Sequence, residues 1–152
     1  MTARAIVRFA VDGATGPLPR VVLVLGDPAI ATTLATRLPA ARVEGVDRAA
    51  LRRAPPGSAD LVLASCDEAG DERAVLPAAR ARLSRRGRLV LAVPVQALAR
   101  WLRAASGSGL APKRLALSVA SSSGRLALLE VRPGRPGGLV VEPPGLDPHE
   151  GG

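Results

Sequence analysis

The sequence has very few of the residues that build disulfide, metal and triad sites. Its 152 residues include one cysteine, Cys66, and one histidine, His149. One cysteine excludes an intrachain disulfide framework and a cysteine-based zinc site. A single histidine near the C-terminus argues against a histidine-centred triad, and Cys66 lacks the histidine partner of a thiol nucleophile. We therefore expect neither a metal site nor a cysteine nucleophile.

Aromatic residues are almost absent as well. Trp101 and Phe9 are the only two, and the sequence has no tyrosine and no asparagine. Trp101 lies on or beside the apolar stripe of a predicted helix, so we expect it in the core. A nucleic-acid surface that depends on stacking bases on aromatic rings is therefore not expected.

Long apolar runs are also missing. No stretch approaches the ~18 apolar residues that a membrane-spanning helix needs, and the N-terminus lacks the apolar segment of a secretory signal. We expect a cytoplasmic protein without a membrane partner. A hydrophobic content of 47% excludes a typical disordered chain and supports one folded domain.

Basic residues are unevenly distributed. The formal net charge is +8, with one lysine among the 21 basic residues. Basic and acidic side chains balance over residues 1–76, whereas residues 77–152 have twelve basic and four acidic ones. A basic half favours an acidic partner such as RNA or DNA. A solvated arginine-rich surface is the alternative, since the composition is typical of a GC-rich coding sequence.

The apolar runs predict a sheet. Four short runs alternate with helical patterns, and two further runs flank a short polar loop, as in an antiparallel hairpin. The six runs are 21–25, 42–46, 61–64, 88–93, 114–119 and 125–131. This order predicts an α/β sheet that is mostly parallel, with one antiparallel strand supplied by the C-terminal hairpin.

Three regions are predicted along the chain. Residues 1–19 form an N-terminal extension, residues 20–132 the α/β domain, and residues 133–152 a Gly/Pro-rich, poorly ordered tail. Within the domain, a helix over 72–83 contains Pro77, which predicts a late start or a kink. The turn at 85–87 precedes the fourth strand, and Pro94 opens another helix. In such a sheet, ligands bind at the carboxyl ends of the strands.

Three segments carry a resemblance to a known family. Residues 34–47 (LATRLPAARVEGVD), 83–94 (LSRRGRLVLAVP) and 109–144 resemble bacterial tRNA(Val) adenine-N6 methyltransferases, which have the class I S-adenosylmethionine-dependent methyltransferase fold. The likeness covers about residues 20–145. It implies a Rossmann-like methyltransferase sheet, S-adenosylmethionine as cofactor and tRNA as substrate.

The resemblance implies a cofactor site at Gly26, Asp27, Asp47 and Ser65. Gly26 is what remains of a glycine-rich turn after the first strand, where Pro28 now replaces a later glycine. Asp47 matches the acidic residue that holds the ribose hydroxyls, although it could equally cap the next turn. Asp27 could supply a further acid, but we favour a helix cap. Ser65 stands where the family has the asparagine of Asn-Pro-Pro-Tyr.

Two departures from the family pattern concern the chemistry. Only twelve residues separate Asp47 from Asp60, too few for a helix and a strand. The third strand and the adenine clasp are therefore predicted to be missing, which exposes a new sheet edge. The catalytic Asn-Pro-Pro-Tyr is replaced by residues 65–68 (SCDE), so no catalytic residue is predicted.

Several functions remain open. The first is a methyltransferase-like protein related to tRNA (adenine-N6) methyltransferases, with catalysis impaired or lost. The fold order, Asp47 and the basic half would instead fit an active RNA methyltransferase. Another alternative is a non-catalytic RNA- or protein-binding module, with a partner or a second copy at the exposed sheet edge. The last alternative is a decaying gene product with no selected function. The arginines expected to contact RNA phosphates are those at 80, 82, 85, 86, 88, 100, 103 and 114.

Overall fold

A computed structural model describes residues 2–12, 16–121, 124–134 and 137–142 of the chain. His149 lies outside these residues. Among the described residues, no helix is both long and apolar enough to cross a membrane.

The described strands are β1 (Val21–Leu25), β2 (Arg42–Val46), β3 (Ala59–Ser65), β4 (Leu83–Pro94), β5 (Leu110–Ser121), β6 (Gly124–Pro133) and β7 (Val140–Glu142). They form one seven-stranded sheet in the order β2-β1-β3-β4-β6-β5-β7. β2, β1, β3 and β4 run parallel to one another, whereas β6 runs antiparallel to both β4 and β5. This confirms the predicted α/β sheet and its C-terminal hairpin.

Helices cover both faces of the sheet and define two hydrophobic clusters. The helices are α1 (Thr2–Asp12), α2 (Pro28–Arg37), α3 (Arg48–Arg53), α4 (Asp71–Arg82) and α5 (Leu98–Gly107), with a 3₁₀ turn at Val95–Ala97. α1 and α2 pack on one face; α3, α4 and α5 pack on the other. Trp101 of α5 is fully buried among apolar neighbours, as predicted.

Helix α1 lies in the segment predicted to be an extension. Ile6, Phe9 and Ala10 recur at helical spacing and are buried against α2 and the sheet, while Arg4 and Arg8 point outward. The three-to-four-residue spacing of the apolar positions was the available signal. Residues 2–12 are therefore part of the core-forming structure.

The edge next to β2 is open, as the short 48–59 segment predicted. Only α3 and a turn connect β2 to β3, and β1 is the sole strand paired with β2 among the described residues. β2 is also the least buried of the parallel strands. Within the described chain, the sheet thus lacks a strand outside β2.

Strand β4 corrects the predicted turn at residues 85–87. β4 begins at Leu83, and its register with β3 jumps from Ala59↔Leu83 to Leu61↔Arg88. Ser84–Gly87 therefore form a bulge within the strand. Gly87 is required there, because a Cβ at this position would lie 2.9 Å from the Ala59 carbonyl oxygen.

Two further elements differ from expectation. α4 starts at Asp71 and continues through Pro77, which is exposed, so the late start is not observed. The Gly/Pro-rich tail contributes β7, which pairs in parallel with β5 through Arg114↔Val140. The Gly/Pro-rich composition of the tail predicted a loop, and the three residues of β7 are too few to show a strand pattern.

A buried charge cluster ties the hairpin to α1 and β7. Glu130 is 1% exposed and accepts hydrogen bonds from Arg114 Nε and Arg132 Nε, each at 2.8 Å. Arg114 also bonds Glu142 at 2.9 Å and the Phe9 carbonyl at 2.6 Å, and its guanidinium lies 4.1 Å from the centre of the Phe9 ring. This buried charge cluster fixes four elements through one guanidinium.

Candidate functional site

The carboxyl edge of the parallel strands brings the sequence-predicted site residues together. Gly26 follows β1, Asp47 follows β2, and Ser65 ends β3. The register aligns Leu25 with both neighbouring strands, at Val46 and Ala64. The three residues therefore meet at one edge, where this class of sheet binds ligands.

Gly26 is constrained by its neighbours. Its φ of +117° is unfavourable for a residue with a side chain, and a Cβ would lie 2.9 Å from the Ser65 carbonyl oxygen. The space that glycine leaves is therefore used for the close approach of β1 and β3.

Asp27 and Asp47 both cap helices. Asp27 Oδ1 accepts a hydrogen bond from Ala29 N at 2.9 Å and begins α2, with Pro28 in the first turn. Asp47 Oδ1 accepts one from Ala50 N at 2.7 Å and begins α3. Both residues are exposed, and the only side-chain hydrogen bond of each within the described residues is to Oδ1. Both aspartates thus have a structural role, which leaves one oxygen for a ligand.

The cap at Asp27 leads to a stability prediction. Replacing Asp27 with alanine leaves the first backbone N–H groups of α2 without this acceptor, and should lower the free energy of unfolding by ~1 kcal/mol. Asparagine keeps an acceptor oxygen and should cost only a few tenths of a kcal/mol. Urea denaturation of the two variants checks this; equal losses would contradict the cap.

The turn after β3 is closed by packing. Cys66 is buried, and its backbone N–H bonds the Ala92 carbonyl at 3.0 Å. Burial raises the pKa of the Cys66 thiol to about 12, an effect that Arg48 only partly offsets. The thiol is therefore protonated at neutral pH, which supports the expectation that Cys66 is not a nucleophile.

Ion pairs that sequence reasoning missed also close this edge. Arg48 pairs with the buried Asp71, whose Oδ2 accepts a hydrogen bond from the Glu68 N–H at 3.1 Å. Arg100 Nε lies 3.1 Å from Oε2 of the buried Glu72. Two adjacent acids in the first turn of α4 were the available signal, since acids favour a helix N-terminus. These pairs fill the region beside residues 65–68.

Metal ligands are not gathered here. Within the described residues, no group of three or more His, Cys, Asp or Glu side chains is placed to hold a metal ion. The groups that this edge offers to a ligand are therefore single carboxylates, one hydroxyl and backbone atoms.

The basic C-terminal half supplies fewer free arginines than its sequence suggests. Arg88 and Arg114 are buried, Arg82 donates to two backbone carbonyls, and Arg100 pairs with Glu72. Arg82, Arg100 and Arg114 are thus bonded to other groups of the protein, whereas Arg88 is buried with its Nη1 unpaired among the described residues. Exposed arginines without an ion pair or hydrogen bond in the described structure include those at 85, 86 and 103.

Solved structures share this fold. A predicted O-methyltransferase from Agrobacterium tumefaciens is 17% identical, with a TM-score of 0.73 over 95% of this chain and 86% of that one. A precorrin-6y C5,15-methyltransferase from Geobacter metallireducens is 16% identical, with a TM-score of 0.62 over 86% and 87%. A 16S rRNA N2 G1207 methyltransferase from T. thermophilus, in complex with AdoMet and guanosine, is 19% identical, with a TM-score of 0.54 over 90% of this chain and 40% of that chain.

No protein-family model and no curated protein matches the sequence. At these identities the structural likeness establishes the fold alone, which is that of the class I methyltransferases.

Proposed function

We propose that this chain is a methyltransferase-like protein, related to S-adenosylmethionine-dependent tRNA (adenine-N6) methyltransferases, in which adenine-N6 transfer has been lost. The observation that supports this most directly is the turn after β3. Residues 65–68 stand where the family has Asn-Pro-Pro-Tyr, and the adjoining space is filled by a buried thiol and by two buried carboxylates that pair with half-exposed arginines.

The residues of this turn do not suit methylation of an adenine amino group. The reaction needs an acceptor that orients the exocyclic amine and an aromatic ring that stacks on the flipped base. Ser65 offers one hydroxyl without the geometry of an amide, and residues 66–68 include no aromatic. Asp67 and Glu68 are exposed at the same place and would repel nucleic-acid phosphates. The chain therefore lacks both requirements.

The cofactor fit is partial. S-adenosylmethionine supplies the transferable methyl group in this fold, and its ribose hydroxyls suit the carboxylate oxygen of exposed Asp47 that the helix cap does not use. The turn at Gly26 offers no comparable cradle, because a Cβ there would meet Ser65 rather than open space. Pro28 also lacks the N–H that a glycine would present at that position. The residues present thus fit the ribose alone.

Calorimetric titration with S-adenosylmethionine tests the role of Asp47. Asp47→Asn keeps an acceptor for the α3 cap but removes the carboxylate charge, so it separates ribose binding from folding. We expect weak binding by the parent chain, a loss of about tenfold or more in Asp47→Asn, and an unchanged melting temperature. Asp27→Asn, a matched change at the other cap, should leave binding unchanged. No heat at millimolar cofactor, or equal losses in both variants, would contradict a ribose site at Asp47.

Loss of adenine-N6 transfer is tested separately. Unmodified tRNA and labelled S-adenosylmethionine should give no labelled N6-methyladenosine with the folded protein. Labelled product above a protein-free control would overturn this part of the proposal.

A second candidate function is a non-catalytic RNA-binding module. The net charge of +8 and the exposed arginines 85, 86 and 103 favour it. Binding should weaken steeply with salt and show little sequence preference.

A further inference from the structure

An open groove lies at the amino edge of the sheet, opposite the candidate cofactor edge. Its volume is about 710 Å³, within the range of small-ligand sites. One wall is the segment 16–20 that leads into β1; the other is residues 85–88 of β4, with Arg132 and Pro133 at one end. We call this the basic groove.

The groove has a large excess of positive charge. Five arginines line it, at positions 20, 85, 86, 88 and 132, together with one carboxylate, Asp60. Asp60 is already satisfied by neutral donors, since it accepts the backbone N–H groups of Arg20 and Val21 and the Ser84 hydroxyl. Glu130 pairs with Arg132 but is shared with Arg114 behind the groove. Asp60 also interacts electrostatically with Arg20, so two carboxylates offset part of the charge of five arginines, and an excess of positive charge remains.

Arg88 is the least satisfied of these arginines. It is 7% exposed, and its Nη1 has no hydrogen-bond partner among the described residues. The nearest carboxylate oxygen, on Glu130, lies 3.6 Å from Nη1, which is too long for a hydrogen bond. Burial lowers the pKa of Arg88 to about 10, and the charges of Arg114 and Arg132 add to the effect that Glu130 opposes. A buried donor in an excess of positive charge calls for an anionic acceptor.

The bulge in β4 presents the remaining charge. Ser84–Gly87 have no register partner in β3, so the strand turns outward there. Arg85 and Arg86 occupy the middle of the bulge, are exposed, and form no ion pair or hydrogen bond within the described residues. The bulge thus holds two unpaired guanidiniums over one wall of the groove, and bulges commonly re-aim side chains in this way.

We propose that the basic groove binds a phosphate-bearing ligand, with one phosphate group against Arg88 and Arg132 and further negative charge against Arg85 and Arg86. Arginine suits this chemistry because its planar fork of donors matches phosphate oxygens. Nη1 of Arg88 is fully buried, so contact between this atom and a phosphate requires the side chains at the rim to move aside. The proposal deepens the second candidate function, and it is independent of the cofactor edge.

Two probes distinguish the source of the phosphate. Inorganic pyrophosphate represents a free phosphorylated compound, and a single-stranded 12-nucleotide RNA represents a phosphodiester backbone. Both are titrated into the full chain at low salt, by calorimetry and by fluorescence anisotropy respectively. The test variant is Arg85→Ala/Arg86→Ala, and the matched control is Arg4→Ala/Arg73→Ala, which removes the same charge from exposed positions on α1 and α4.

We expect the test variant to weaken binding of at least one probe by about tenfold or more, and the control variant to weaken it by less than about threefold. For RNA, the slope of log K against log salt should also fall by about 1.4, as expected for two lost phosphate contacts to a single strand. Stronger binding of RNA than of pyrophosphate identifies a phosphodiester ligand. Binding of pyrophosphate alone supports the groove and refutes the RNA-binding function.

Two results would refute the proposed phosphate site in the basic groove. If RNA binds and both double variants weaken it equally, the RNA-binding function stands but this site does not. If neither probe binds, both the phosphate site and the RNA-binding function are refuted. Arg88→Met gives a second test, at the buried arginine of the basic groove. This variant should still melt cooperatively and should bind the probes more weakly. Unchanged binding by the folded variant would contradict the proposed phosphate contact.

Discussion

Replacing Glu130 with alanine should lower the free energy of unfolding by ~3–5 kcal/mol, the usual cost of leaving buried charges without their partner. Glu130 is 1% exposed and joins Arg114, Arg132 and, at longer range, Arg88. Without the carboxylate, two buried guanidiniums would face each other in a region of low dielectric. Urea denaturation at neutral pH measures this loss.

Glu142→Ala is the matched control. Glu142 also pairs with Arg114, at 2.9 Å, but its side chain is 31% exposed. Solvent screens this pair, so we expect a loss of under ~1 kcal/mol. A loss in Glu130→Ala no larger than that in Glu142→Ala would refute the importance of the buried charge cluster.

The same carboxylate should make stability depend on acid pH. Burial raises the pKa of Glu130, but hydrogen bonds from Arg114 and Arg132 and the nearby charges outweigh this and hold the pKa below its ordinary value. A carboxyl with a lowered pKa stabilises the fold above its unfolded-state pKa of about 4.3, and this contribution is lost as pH falls through the folded-state pKa. Stability should therefore fall more steeply below about pH 4.3 in the parent chain than in Glu130→Ala. Parallel curves would contradict this contribution.

Gly26→Ala should be the other strongly destabilising change, with a loss of ~3–5 kcal/mol. Two costs combine: the positive φ of +117° strains any residue with a side chain, and the new Cβ would lie 2.9 Å from the Ser65 carbonyl oxygen. The obstacle is backbone of the neighbouring strand, so it cannot rotate away. Thermal and urea denaturation would both report the loss.

Gly16→Ala isolates the first of these costs. Gly16 has a similar φ of +100°, and nothing lies within 4 Å of the position that a Cβ would take there. We expect a loss of ~1–2 kcal/mol at this glycine, from backbone strain alone. Equal losses at the two glycines would mean that contact between β1 and β3 is not what requires Gly26.

The Gly26 result also bears on function. If Gly26 were needed only for cofactor approach, alanine would cost the cofactor-free protein no more than the backbone strain measured at Gly16, whereas a glycine needed for strand packing would cost more. The structure provides the packing reason, through Ser65. Large destabilisation of the cofactor-free protein would therefore mean that the fold requires this glycine whether or not a cofactor binds.

Short-range patterns determined the sheet. Runs such as Val21–Leu25 are β-branched, apolar and bounded by turn residues, which is enough to predict buried parallel strands. The polar loop between the last two long runs predicted the hairpin, and the brevity of residues 48–59 predicted the missing strand. The caps at Asp27 and Asp47 were also among the alternatives that the sequence offered, because an aspartate before a helix carries a local signal.

Elements whose stability depends on distant partners were harder to predict from the sequence. β7 is three residues long and gains order from pairing with β5 and from the bond between Glu142 and Arg114. The bulge at Ser84–Gly87 depends on where β3 and β4 come into register. Neither has a periodicity that a sequence pattern could reveal.

By itself, the sequence determined the α/β architecture, the scarcity of metal-binding and stacking residues, and the absence of Asn-Pro-Pro-Tyr, because each follows from local composition or spacing. Only the tertiary structure decided which arginines are free. Arg85 and Arg114 look equivalent in the sequence, yet one is exposed on a bulge and the other is buried and bonded to Glu130. Burial and pairing come from contacts between residues far apart in the chain, and those contacts decide whether a charge holds the fold together or remains available to a ligand.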